Sequence, residues 1–309
     1  MAYEGRPAAA AAVPAGVSAG LRATPLARRV AAERGVDLGA VAGSGLNGKV
    51  VRSDLDGIAA AAAVGTVIGR NGDKKIAAQV PYSGVRRIIG ERLAESKFTA
   101  PHLYFTQKVD VTALLDLRAR VNARQEKKTS VTDYIARAVV LALQAHPELN
   151  ASLAGDVIEQ YANVNLGIAV AAPGGLIVPV VKDAETLSVS ELSKRASTLV
   201  EKARTGKLLP DEYTGGTFTI SNLGMFGIEN FTAILNPPES GILAVSATKD
   251  EAAVTLGADG TKRIEIRPVM NITLSVDHRI IDGLLAAQFV GEVKRLLEAP
   301  VELMVQDWE

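Results

Sequence analysis

The sequence predicts an α/β protein in which a small helical module, set between an Ala/Pro-rich tether and a second flexible one, precedes a larger unit of alternating strands and helices. Three observations lead there. A length of 309 residues with 48% hydrophobic side chains can bury one substantial core plus a lesser one. Low-complexity stretches at residues 1–20 and 59–79 bracket the segment 21–58. From residue 80 to 309, apolar runs of period two and of helical spacing interleave, with several antiparallel turn signals.

In chain order, residues 7–20 are nearly all Ala, Pro, Val, Gly and Ser, a composition for a semi-extended linker. Thr24-Pro25 then offers an N-cap and a proline at the first helical position, with Leu26, Ala27, Val30 and Ala31 at helical spacing and Gly35 as a stop. Asp37 can start a second short turn, Gly43 to Gly48 reads as an irregular loop, and Ser53-Asp54 can cap a last helix. A module of this size has little core. Its charge is mainly basic, through Arg28, Arg29, Arg34, Lys49 and Arg52, which suits a docking piece.

In the larger unit, Ser83 is placed to cap an amphipathic helix through Val85, Ile88, Ile89 and Leu93, which also carries Arg86, Arg87 and Arg92. Leu103 to Val111 is strand-like, and Ser130-Val131-Thr132-Asp133 caps a helix through Leu143. Val164 to Val170 alternates before Pro173-Gly174-Gly175, a hairpin signal into Ile177 to Val181. Ser188-Val189-Ser190-Glu191 is a capping box for a helix that runs to Arg204.

The totals bound the function. Lys plus Arg equals Asp plus Glu at 34 each, so global charge argues for neither nucleic acid nor an anionic membrane. Without cysteine there is no disulfide, thiolate metal site or cysteine nucleophile. No run of about 18 apolar residues is present to span a bilayer, and residues 1–6 carry no secretory pattern.

Two stretches carry chemistry. Met270, Ile272, Leu274 and Val276 alternate with Asn271, Thr273, Ser275 and Asp277, and His278 follows the strand at once. Asp282-Gly283 turns into a helical apolar stripe. With only three histidines in the chain, His278 is the best-placed candidate for a base near neutral pH, against the plainer reading of a satisfied histidine between Asp277 and Arg279. In the second stretch, Thr217, Thr219 and Ser221 share the polar face of a strand that ends in Asn222-Leu223-Gly224-Met225-Phe226-Gly227. A hydroxyl ladder is the plainer reading. Ser221 lacks the Gly-x-Ser-x-Gly context of a nucleophile elbow, which favours direct acyl transfer, with Ser221 donating to an oxyanion and His278 removing a proton. His278 and Asp282 alone do not make a metal site.

The segments Asp277-His278-Arg279-Ile280-Ile281-Asp282-Gly283 and Gly216 to Gly227 resemble the catalytic signature and companion strand of the dihydrolipoamide acyltransferases of 2-oxo acid dehydrogenase complexes, and among these the acetyltransferases of pyruvate dehydrogenase complexes. Thr24 to Arg29 and Gly43 to Val51 resemble the family's peripheral subunit-binding domain. The resemblance implies a chloramphenicol-acetyltransferase-like catalytic domain over 80–309, a mixed sheet with flanking helices, and a subunit-binding domain over 21–58. It implies homotrimers that build a cage, with active sites between subunits.

It also implies that His278 takes the thiol proton of coenzyme A, that Ser221 binds the oxyanion and that Asp282 orients the site, through an arginine such as Arg87. Ser130 and Asp133 are carried over toward coenzyme A, and Arg28, Arg29 and Lys49 toward acidic patches of dihydrolipoamide dehydrogenase or the pyruvate decarboxylase component. No lipoyl-domain pattern precedes residue 24, and Lys74-Lys75 lie in linker sequence, so the lipoyl group is expected as a substrate attached elsewhere, in cis if the chain is part of a longer one or in trans. The expected compartment is a bacterial cytoplasm, or a mitochondrial matrix or plastid stroma if a leader has been lost. A non-catalytic scaffold, and a succinyl or branched-chain acyltransferase, are the alternatives. The intact set His278, Ser221 and Asp282 argues against the first, and the Asn222 to Gly227 loop resembles the acetyl type.

Overall fold

The computed structural model describes residues 23–34, 36–56, 77–82, 84–172, 175–257 and 259–307. The sequence expectations for Gly35, Ser83, Pro173-Gly174, Lys74-Lys75 and most of both tethers lie outside these residues. The chain divides into two compact units, Met1–Gln79 and Val80–Glu309.

Among its described residues the small unit has one α-helix, α1 (Pro25–Arg34), and short 3-10 turns at Leu38–Ala40, Leu46–Gly48 and Arg52–Leu55. Thr24 caps α1 by accepting from the Ala27 amide at 3.2 Å, and Asp37 caps the first turn through Gly39 N at 2.9 Å. The last turn departs from expectation. Its cap position is Val51, whose amide donates 2.9 Å to the Asp54 carboxylate three residues on. Asp54 also accepts from the Ser44 hydroxyl and amide, and these bonds, the hydroxyl foremost, hold its carboxyl below the usual range. Among its described residues the buried core is Ala27, Ala31, Val50 and Leu55, so such polar ties to the loop matter for its shape.

The large unit runs α2 (Val85–Thr99), β1 (His102–Asp110), α3 (Thr112–Arg124), α4 (Val131–Ala145), β2 (Ala151–Ala154), β3 (Val157–Gln160), β4 (Leu166–Ile168), β5 (Val170–Ala172), β6 (Gly175–Ile177), β7 (Val180–Val181), α5 (Val189–Arg204), β8 (Phe218–Asn222), β9 (Gly241–Val245), β10 (Lys249–Leu256), β11 (Lys262–Asp277) and α6 (Gly283–Glu298). The main sheet has the order β1-β11-β9-β8-β4-β7, with β10 on β11. Pairs β4/β8 and β8/β9 are parallel and the others antiparallel, so the sheet is mixed. Two departures from the sequence reading appear here. The alternation from Val164 to Val170 does not form one strand; it divides into β4 of the main sheet and β5, which pairs β6 in a separate hairpin. The helix α2 begins after Gly84, whose φ of 58° belongs to the left-handed region that glycine enters without strain.

The alternation in β11 sets the layering. Ile272, Leu274 and Val276 join Phe218, Ile220, Leu243 and Val245 against α4 and α6, which bring Tyr134, Val139, Phe289 and Val293 to one buried cluster. The opposite face carries Thr219, Ser221, Thr273, Ser275 and Asp277. This face is also largely buried, under the loop before β9, where Leu235 packs with Ala100 and Ile242. Ser96 and Arg92 of α2 hold that loop through the carbonyls of Leu235, at 2.9 Å, and Pro237, at 3.0 Å.

Candidate active site

The end of β11 is fixed from three sides before it delivers His278. The Asp277 amide donates to the Ser240 carbonyl at 2.9 Å, and its carboxylate is gripped by Arg279, with Nε at 3.0 Å from Oδ1 and Nη2 at 2.6 Å from Oδ2. Asp277 is 4% exposed, and this hydrogen-bonded pairing pushes the Arg279 guanidinium above its ordinary pKa. The His278 amide donates 2.9 Å to the Pro101 carbonyl just before β1. The imidazole is exposed, and its Nδ1 stands 3.1 Å from the Ile281 carbonyl. A carbonyl can only accept, so Nδ1 carries the proton and Nε2 keeps its lone pair toward the open side. Asp282 caps α6, with its Oδ1 accepting from Leu285 N at 3.1 Å.

Ser221 is half-buried on β8, which lies between β9 and β4. The bend after it is set by Asn222, whose Oδ1 accepts from Gly224 N at 2.8 Å and whose Nδ2 donates to Thr132 Oγ1 at 2.9 Å on α4. A Cβ at Gly224 would meet the Ser246 carbonyl at 2.8 Å, so this turn admits only glycine without a shift of backbone. The start of α4 thereby stands beside the Ser221 strand. There Ser130 and Asp133 form the predicted capping box, and Asp133 Oδ2 also accepts from Ser193 Oγ at 2.8 Å.

The chain does not bring Ser221 and His278 together. Ser221 is level with Ala244 on β9, which is level with Thr273 on β11, and His278 lies five residues beyond. At strand spacings of about 4.8 Å and a rise of about 3.4 Å per residue, the two Cα atoms are roughly 20 Å apart. Arg87 points elsewhere too, donating to the Tyr82 carbonyl at 2.9 and 3.2 Å. Arg28, Arg29 and Lys49 are exposed on the small unit. Among the described residues no three His, Cys, Asp or Glu side chains cluster as a metal site, and no helix is long and apolar enough to cross a membrane.

Sequence reasoning missed two groups. The Asp277–Arg279 pair had a local signal, opposite charges two apart at a strand end. Glu239, buried in the loop before β9 with its carboxyl pushed up to about 7 by desolvation, had none beyond the rigid Pro237-Pro238 before it.

The mixed sheet thus presents a histidine with a free Nε2 at one strand end and a serine on another strand, and the comparisons give the class of protein. Residues 74–305 match the model of the 2-oxoacid dehydrogenases acyltransferase (catalytic domain), and residues 21–56 match that of the e3 binding domain. The chain belongs to the 2-oxoacid dehydrogenase acyltransferase family. It is 42% identical over 298 residues to the mitochondrial dihydrolipoyllysine-residue acetyltransferase component of the pyruvate dehydrogenase complex of Schizosaccharomyces pombe, covering 92% of this chain and 61% of that protein. The chain thus spans about three fifths of that relative. Among solved structures, the dihydrolipoamide acetyltransferase of Azotobacter vinelandii superposes with a TM-score of 0.67 at 32% identity, over 74% of this chain and 94% of the other. In its catalytic mechanism a serine, a histidine and an asparagine four positions after the histidine have been investigated. The cubic core of a pyruvate dehydrogenase multienzyme complex gives a TM-score of 0.68 at 32% identity, over 77% and 96%.

Proposed function

We propose that the chain transfers an acetyl group between S-acetyl-dihydrolipoyl and coenzyme A in the core of a pyruvate dehydrogenase complex. The observation that carries this is His278, held at a rigid strand end with Nδ1 turned to the Ile281 carbonyl and Nε2 available as a base. Nε2 takes the proton of the coenzyme A thiol, a group of pKa about 8.5, and the thiolate sulfur attacks the acetyl thioester carbon. Ser221 donates to the oxyanion that forms. Collapse breaks the bond to the dihydrolipoyl sulfur, which leaves as a thiol with the proton from His278. The same steps run in reverse.

Because Ser221 and His278 of one chain lie roughly 20 Å apart by strand geometry, each site takes its histidine from one copy and its serine from the next. The fold likeness to a cubic core and the family resemblance support trimers of this kind. Asp282 stands four residues after His278, as the asparagine does in the Azotobacter relative, and orients the turn by capping α6. Ser130 and Asp133, beside the Ser221 strand, line the approach of coenzyme A. Arg28, Arg29 and Lys49 dock acidic surfaces of dihydrolipoamide dehydrogenase or the decarboxylase component, a reading the match to an e3 binding domain supports. The lipoyl group comes as a substrate.

The test is acetyl transfer from acetyl-coenzyme A to free dihydrolipoamide by the assembled protein, beside succinyl and isobutyryl donors. An acetyl preference that falls by roughly 10²–10⁴-fold in His278→Ala supports the proposal. Unchanged turnover in that variant would sink the mechanism, and an equal rate with succinyl would remove the acetyl assignment.

A further inference from the structure

Glu239 is 4% exposed, and no step above uses it. Its Oε1 accepts from Asn236 Nδ2 at 2.8 Å, while Oε2 has no hydrogen-bond partner. Thr219 on β8, fully buried, also has an unpartnered hydroxyl oxygen, and it faces this carboxyl without completing a bond to it. The backbone is cut away around both groups. A Cβ on Gly216 would stand 2.8 Å from Glu239 Oε1, and one on Gly167 would stand 2.6 Å from Thr219 Oγ1. A cavity of about 320 Å³, lined by Glu95, Leu235, Pro237, Glu239, Asp277 and Arg279, gives the carboxyl access to solvent protons.

The place of this pair relates it to both halves of the chemistry. Thr219 is two residues before Ser221 on the same face of β8. Ser240, next to Glu239, holds the Asp277 amide through its carbonyl, and Asp277 leads into His278. An ionised Glu239 would only accept, in a site whose charged neighbours are Arg92 and Glu95 from α2 and the mutually paired Asp277 and Arg279 from the end of β11. The partners β8 and β2 present Thr219, Ser152 and Leu153, with Tyr161 behind Ser152. Arg92 favours the ion but already donates to the Pro237 carbonyl. Thr219 Oγ–H can also donate to a carboxylate, so either form can pair the two orphan oxygens. Desolvation disfavours an ion only 4% exposed, and burial therefore selects the neutral acid, with Oε2–H donating to Thr219 Oγ1.

We propose that Glu239 is a positioning residue for acyl transfer, which as a neutral carboxylic acid donates a hydrogen bond to Thr219 and ties the Ser221 strand to the segment that presents His278. This rests on the acyl-transfer reading of Ser221 and His278. Ionisation of Glu239 loosens the tie, so turnover carries a component that declines as pH rises through about 7, the value to which burial lifts this carboxyl. Deprotonation of the coenzyme A thiol acts in the opposite direction.

The experiment compares wild type, Glu239→Gln and Thr219→Val as assembled protein, using kcat against pH and the infrared carbonyl band of a protonated carboxylic acid. The wild type should show a buried-acid band that titrates near neutrality, is absent from Glu239→Gln and moves in Thr219→Val. The ratio of Glu239→Gln to wild-type kcat should rise several-fold from acid to alkaline pH. A ratio constant over that range, or no band attributable to Glu239, overturns the proposal. If Glu239→Gln does not assemble, titration of the wild-type band and its movement in Thr219→Val decide, and an unmoved band refutes the Thr219 partnership. His278→Ala separates the two levels. Turnover retained in that variant defeats the acyl-transfer reading itself, whereas its loss together with a flat Glu239→Gln ratio defeats only the role of Glu239.

Discussion

At the scale of single residues, function turns on which side-chain atoms already have partners. His278 has Nδ1 committed and Nε2 available; Ser221 sits half-buried beside a bend fixed by Asn222. Replacing Ser221 by Ala should lower kcat by on the order of 10²-fold with little change in KM, the signature of a donor that acts on the oxyanion; a KM effect alone would place the serine in ground-state binding. Glu239 has a consequence for stability as well. Its carboxyl titrates near 4.5 when unfolded and at about 7 when folded, so folding favours the protonated form. That contribution is fully present below pH 4.5 and lost as pH rises through about 7, a loss of on the order of 3 kcal/mol. Urea unfolding at pH 5 and pH 8 should therefore show a greater decline for wild type than for Glu239→Gln, and parallel declines would mean the carboxyl is not buried as described. The placement of His278 after β11 and of Ser221 on β8 was legible in the sequence because strand alternation and a following turn are local signals. Glu239 was not, since its burial arises from Thr219 and Leu235 folding around it.

At the scale of elements, the caps written in the sequence hold most reliably. Ser188 accepts from Glu191 N at 3.2 Å, and Glu191 reaches back to the Ser188 amide at 3.1 Å, as the four-residue box predicts. Replacing Ser188 by Ala should cost about 1 kcal/mol, lowering Tm by about 2–4 °C for a unit of this size. Calorimetry checks this, and an unchanged Tm would show that α5 is held by its packing alone. The strands were read less well where position depends on partners far along the chain. The alternation from Val164 to Val170 reads as one strand, yet the register of β4 on β8 and of β5 on β6 assigns its halves to different sheets. The helix α2 is another case. Its apolar spacing was plain, but Ile88 is 59% and Phe98 89% exposed, with no cover among the described residues.

At the scale of the whole molecule, that exposure recurs on the arm formed by β10 and the first half of β11. Val254, Leu256, Ile264 and Ile266 share one face by register and are 69%, 72%, 80% and 77% exposed, an apolar patch that monomers rarely leave to water. Changing Val254 and Ile264 to Asp should convert the assembly to smaller species in sedimentation and remove turnover with it. On the proposed shared site the loss is joint, because a site that draws on two copies cannot outlive their separation. A sharper test uses the two proposed catalytic residues against each other. His278→Ala and Ser221→Ala chains should each be nearly inactive alone. Co-assembled in equal amounts, one quarter of the sites would pair an intact histidine from one copy with an intact serine from the next, so roughly a quarter of wild-type turnover should return. Sites contained within one chain would recover nothing. Recovery therefore tests directly whether the distance between β8 and the end of β11 in one chain is spanned by the arrangement of chains.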